Sequence, residues 1–234
     1  MKHSKKHKEY REGIDRQKRY LLPDAIEVLK NKHYVKFDES VEVAIRLGVN
    51  PKHADQMVRG TVSLPNGTGK TVRVLAFVQG DKVAVAEEAG ADYVGAEELA
   101  EKIQAGWTDF DVAVATPDMM RVVGKLGKIL GPRGLMPNPK TGTVTPDIDR
   151  AIKELKGGRI EFRIDKQANI AGAVGKLSFE VQQIEENVMT FVNAIVKAKP
   201  AAAKGAYVLG VSICSSMSPG MKLDHQELLA ALKK

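Results

Sequence analysis

The chain has 234 residues, of which 43% are hydrophobic and 28% charged, with a formal net charge of +7 and a single cysteine. That length suits two domains with cores of their own, and no apolar run reaches the roughly 18 residues that a membrane helix needs. Cys214 has no partner for an internal disulfide, and residues 1–19 hold no apolar stretch fit for a secretory signal, so the expected compartment is the cytoplasm, with no membrane partner.

The basic excess lies in the outer segments and points to a polyanionic partner. In the N-terminal tail Lys2, Lys5, Lys6, Lys8, Arg11, Arg16, Lys18 and Arg19 face only Glu9, Glu12 and Asp15. A thin stripe of Tyr10, Ile14 and Leu21 at helical spacing buries little by itself, so nucleic-acid contact is preferred over a merely solvated basic helix. Residues 41–47 then alternate Val41, Val43, Ile45 and Leu47 with Glu42, Ala44 and Arg46, the period of a strand with one buried face. Val58, Gly60, Val62 and Leu64 repeat that period. Pro65-Asn66-Gly67-Thr68-Gly69 is a turn-rich joint.

Beyond it the rhythm changes. Short apolar runs (Val72 to Val78, Tyr93 and Val94, Val112 to Ala115) alternate with helical stretches (Ala84 to Ala89, Glu97 to Gln104), which predicts βαβ units and a parallel sheet covered on both faces. This middle segment is polarised: residues 68–118 carry four bases and ten acids, whereas 119–159 carry nine bases and three acids. Arg121, Lys125, Lys128, Arg133 and Lys140 run without an intervening acid, a secondary RNA contact in this reading. Gly157-Gly158 closes the segment as a second joint. Strand alternation returns at Ile160, Phe162 and Ile164 and again at Tyr207, Leu209, Val211 and Ile213. Between them Ile184, Val188, Val192 and Ile195 mark a helix with one apolar stripe.

The predicted fold is therefore mixed α/β and α+β in two domains. Residues 1–67 and 160–234 form a discontinuous α+β domain, and 68–159 an inserted Rossmann-like parallel-sheet domain, hinged where the two crossings lie.

Gly67-Thr68-Gly69-Lys70-Thr71 looks like a phosphate-binding loop, but the first glycine of that pattern falls on Leu64, and Thr71 opens a strand-like run instead of a helix. His3, His7, His33, His53 and His225 have no metal-ligand spacing with other donors, and Ser215, Ser216 and Ser218 lack a nucleophile elbow. No cofactor, metal, catalytic residue or small-molecule substrate is expected. Two segments suit RNA. Lys36-Phe37-Asp38-Glu39-Ser40 sets an aromatic beside a base and a hydroxyl, although a core phenylalanine fits that pattern equally well. Ser215-Ser216-Met217-Ser218-Pro219-Gly220 clusters hydroxyls after a strand, where they can meet ribose and phosphate, or simply form a Ser-Pro turn. With aromatics at 5%, folded RNA is a better partner than splayed single strands.

Residues 124–143, GKLGKILGPRGLMPNPKTGT, resemble the signature of the bacterial-type L-one family of large-subunit ribosomal proteins. The likeness extends to KFDESVE at 36–42, VRGTVSLP at 58–65 and GGRIEFR at 157–163, and covers essentially the whole chain. It implies an rRNA-binding domain built from both termini and an inserted domain that moves about a hinge. It also implies a place on the mobile stalk beside the tRNA exit site, where the protein assists release of deacylated tRNA. Repression of the protein's own message, through an mRNA leader that mimics the rRNA site, is implied as well. By position, the family's rRNA patch falls on Lys36, Phe37, Ser40 and the strand end Ser215, Ser216, Met217 and Ser218, with Lys176 and Ser178 beside it. One departure is Ser218, which stands where members often have a glycine that permits close backbone approach. The rivals are a nucleotide-dependent enzyme on the βαβ segment, against which the missing glycine at Leu64 speaks, and an adaptor whose basic tail binds acidic proteins.

Overall fold

The computed structural model describes residues 5–232 other than Gly13 and Arg16, and only the backbone of Lys6, His7, Tyr10 and Lys140. Lys2, His3 and Arg16, and the side chains of Lys6, His7, Tyr10 and Lys140, all named above, lie outside the described residues. In chain order the elements are α1 (Lys5–Glu12), β1 (Arg19–Tyr20), α2 (Leu22–Asn31), β2 (Ser40–Leu47), β3 (Arg59–Ser63), β4 (Val74–Phe77), α3 (Lys82–Glu88), β5 (Tyr93–Gly95), α4 (Glu97–Gln104) and β6 (Val112–Ala115). There follow α5 (Met120–Lys125), α6 (Gly127–Leu130), α7 (Ile148–Lys156), β7 (Arg159–Arg163), β8 (Asn169–Lys176), α8 (Val181–Lys197), β9 (Val208–Ser215), β10 (Met221–Leu223) and α9 (His225–Ala231). They gather into two compact units, one from the segment ending at Gly69 with that beginning at Ile160, the other Lys70–Arg159.

The first unit holds a five-stranded sheet in the order β1-β10-β9-β2-β8, in which β2 runs antiparallel to both neighbours; β3 and β7 pair separately. The alternation along β2 is that of the sequence: Val41, Val43, Ile45 and Leu47 are buried. The α8 stripe, Ile184, Val188, Val192 and Ile195, is fully buried, each side chain contributing about 1.5–3 kcal/mol. Gln183 starts that helix by accepting the Glu180 amide at 3.0 Å. Phe191 from α8 meets Phe162 edge-on, with centroids 6.1 Å apart. Glycines make the room: a Cβ on Gly172 of β8 would lie 2.8 Å from the Phe191 ring, and one on Gly60 of β3 2.8 Å from that of Phe162.

The N-terminal stripe behaves differently from its helical expectation. α1 ends at Glu12; Ile14 enters the core, Tyr20 lies in a strand and is buried, and Leu21 is exposed. The turn from Pro65 to Gly69 is fastened to α8. Asn187, fully buried, accepts the Asn66 amide at 3.1 Å and donates to the carbonyls of Gly67 and Val174 at 2.9 and 2.7 Å. The chain then runs into β4, with no helix following Gly69, so the look-alike phosphate loop is a tethered turn.

The second unit is a parallel sheet in the order β5-β4-β6. All of β4 is buried because both faces are covered: Leu75 and Phe77 face one apolar cluster, Val74 and Ala76 the other, where Ile148 and Ile152 of α7 pack.

Candidate nucleic-acid interface

The register of the first unit's sheet sets three strand ends side by side. Ser40 opposes Lys176 of β8, and Val41 opposes Ser215 of β9, so the segments flanking them converge at one edge. The backbone link is reinforced by Ser216, whose amide donates to the Ser40 carbonyl at 3.1 Å while its Oγ accepts the Ser40 amide at 3.2 Å.

At the centre is a residue that the motif reading passed over. Glu39 is only 2% exposed, and its carboxylate accepts Ser215 Oγ at 2.7 Å and the Met217 amide at 2.8 Å, with His33 Nδ1 at 2.9 Å. Burial pushes its pKa up, but the hydrogen bonds from Ser215, His33 and Met217 outweigh that and hold it below the usual carboxylate range. A signal was present: Glu39 continues the phase of Val41, Val43 and Ile45, so an acid occupies a core-facing position.

Around this anchor the predicted residues divide into two kinds. Phe37 is 52% and Met217 45% exposed, so the core reading of Phe37 is excluded and two large apolar side chains are displayed to solvent beside exposed Lys36. The others are engaged internally. Ser215 is buried and spends its hydroxyl on Glu39; Ser218 Oγ accepts the Ser215 amide at 2.7 Å and closes the turn. Lys176 Nζ donates to Ser40 Oγ at 2.9 Å and to the Asp38 carbonyl at 3.3 Å, while Ser178 Oγ donates to Asp38 at 2.8 Å. A shallow hollow of about 370 Å³ lies between Lys30, His33, Lys36, Phe37, Asp38 and Ser178.

In the second unit Arg121 and Lys125 stand exposed four residues apart on α5, and Lys128 is exposed on α6. Arg133 is exposed too, but its guanidinium donates to Thr108 Oγ1. The signature around these bases is anchored to the unit: Leu126 and Leu130 are fully buried, and Arg159 donates to the Thr141 carbonyl at 2.9 Å. Among the described residues no three His, Cys, Asp or Glu side chains gather as for a metal ion, and no helix is long and apolar enough to cross a membrane.

The fold and this edge define a mixed α/β protein that displays apolar and basic side chains at converging strand ends. Residues 29–219 match the model of the Ribosomal protein L1p/L10e family. The chain is also 57% identical over 231 residues to the protein of Protochlamydia amoebophila (strain UWE25) described as large ribosomal subunit protein uL1, covering 99% of this chain and 98% of that protein. The chain belongs to the Ribosomal protein L1p/L10e family and is a structural protein of the large ribosomal subunit.

Proposed function

We propose that the first unit grips a folded segment of large-subunit rRNA through the strand-end cluster. The observation that carries this reading is the pair Phe37 and Met217, held exposed beside Lys36 over a buried, hydrogen-bonded Glu39. Apolar faces can stack on or wedge against bases while Lys36 meets phosphate, and contacts of this kind separate recognition from general charge attraction. In this reading Ser215, Ser218, Ser178 and Lys176 shape the surface, and Ser40 and Ser216 lock the strand ends together. The two units act as hinged domains forming the stalk at the tRNA exit site. The second unit's Arg121, Lys125 and Lys128 supply a weaker contact to rRNA or tRNA that assists release of deacylated tRNA. The same strand-end cluster binds a leader in the protein's own mRNA and represses its translation. The role is structural and regulatory, not enzymatic.

The test is binding of the full chain to fragments of large-subunit rRNA, to its own mRNA leader and to scrambled RNA at several salt concentrations. Phe37→Ala and Met217→Ala should each weaken binding of the retained fragment by about 1–3 kcal/mol, roughly 5- to 150-fold, and leave scrambled RNA nearly unchanged. Equal loss on both RNAs would overturn the placement, and no preference by the parent chain for any rRNA fragment would overturn the function.

A further inference from the structure

The face of the five-stranded sheet that points away from the core carries a second basic surface. The register aligns one row across it: Arg19 opposite Lys222, Lys222 opposite Ser212, Ser212 opposite Ala44, and Ala44 opposite Ala171. In the next row Arg46 lies between Gly210 and Asn169. Arg19, Arg46 and Lys222 are exposed, line one hollow of about 340 Å³, and have no ion pair or side-chain hydrogen bond among the described residues. Ala44, Gly210 and Ser212 between them are small, so a partner's backbone can come close to the sheet there, while exposed Leu209 stands at the side of the hollow.

Among the described residues the neighbouring acids make no ion pair with these bases. Asp165 is turned to the amides of Gln167 and Asn169, and Asp224 to those of Gln226 and Glu227. Among the described residues Glu42 is the acid on the same face between the strand-end cluster and Arg46, while His225 sits at the rim.

We propose that this face is a second contact for RNA, in which Arg19, Arg46 and Lys222 neutralise backbone phosphates of the same molecule that the strand-end cluster recognises. The inference rests on the RNA reading above. From the strand-end cluster the RNA backbone follows β2 from Ser40 to Arg46, about 20 Å at roughly 3.3 Å per residue, and then crosses the sheet to Lys222 and Arg19, two and three strands from β2, roughly 10 and 14 Å away at about 4.8 Å per strand. This row takes phosphates without regard to sequence, and Glu42 is a repulsive gap in its path.

The experiment compares the full chain, a triple variant (Arg19→Gln, Arg46→Gln, Lys222→Gln) and Glu42→Gln. Two RNA probes, the rRNA fragment retained above and a plain RNA duplex, are each used over a range of salt, with polyglutamate as an acidic-protein control. The triple variant should flatten the slope of log K against log salt by roughly 2 to 3 on both probes, about 0.7–0.9 for each phosphate contact, with their affinity ratio kept. Glu42→Gln should tighten both. An unchanged slope in the triple variant, with the parent chain binding normally, overturns this inference alone. Loss of binding to polyglutamate without loss on RNA also overturns it, because the face would then serve an acidic protein. A parent chain that binds neither RNA overturns the function and this inference together.

Discussion

At the end of β2 a buried carboxylate holds Ser215, Met217 and His33 by hydrogen bonds, whereas the signature segment of the second unit is held from beneath by Leu126 and Leu130, both without solvent exposure. The first arrangement is directional: it fixes the Met217 backbone and so where an exposed apolar side chain stands. The second is not directional; apolar burial keeps α5 and α6 on the sheet while their bases remain free to choose rotamers. An interface that must discriminate between partners benefits from the former, and one that supplies charge needs only the latter.

The largest loss is expected on the apolar side. Leu130→Ala should cost about 2–5 kcal/mol, because the cavity it leaves lies in a packed cluster with Leu75 and Phe77. Trp107, the chain's one tryptophan, packs on that cluster against Tyr93 and Phe110, so its fluorescence reports unfolding there. A loss under about 1 kcal/mol in a denaturant titration would mean that the signature segment is held by something other than burial.

A smaller and more specific effect is expected at the carboxylate. Glu39→Gln keeps the shape but removes the charge and one acceptor, and should cost about 1–3 kcal/mol while exposing the Met217 amide to hydrogen exchange. In the parent chain Glu39 has a lowered pKa, so its contribution is present above the ordinary carboxylate value and is lost as pH falls through the folded-state value. The Gln variant should lack that dependence. If Met217 stays as protected from exchange in the variant as in the parent, Glu39 does not position the interface.

Much of this was legible in periodicity. The β2 face, the α8 stripe and the βαβ order from Val74 to Ala115 follow from patterns of two and 3.6, because one-sided or two-sided burial leaves that imprint on the residues. β8 left none: Asn169–Lys176 is rich in alanine and glycine, and Gly172 is there to seat the Phe191 ring, a requirement set by another element far along the chain. β1 and β10, of two and three residues, are too short to show a period. At the interface the segments that hold Lys36, Phe37 and Met217 stood out by residue type, and the family resemblance put the rRNA patch on them. Whether Phe37 was buried or displayed, and which hydroxyls were already engaged, depended on cross-strand register, which residue types do not encode. The direction of the Ser215 and Ser178 hydroxyls is decided by Glu39 and Asp38.

The smallest effect is expected in the second unit, at one of its directional contacts. Asp111, ahead of β6, is bonded to Lys70 Nζ at 2.9 Å and to the Arg73 amide and Nε at 3.1 and 3.2 Å. The Lys70 hydrogen bond does most to bring its pKa down to about 2, against the opposing cost of burial, with the Arg73 hydrogen bonds adding to the lowering. The folded value is depressed, so the stabilisation is in place above the ordinary aspartate pKa and disappears as pH falls from about 4 to about 2. Lys70 is largely exposed and solvent screens the pair, so Asp111→Asn should cost only about 1 kcal/mol at neutral pH. The gap between parent and variant, read from the Trp107 unfolding midpoint, should close as pH approaches 2. A gap that persists at pH 2 would show that the Arg73 amide, which an asparagine oxygen can still accept, is not the bond that survives, and that shape at Asp111 outweighs its charge.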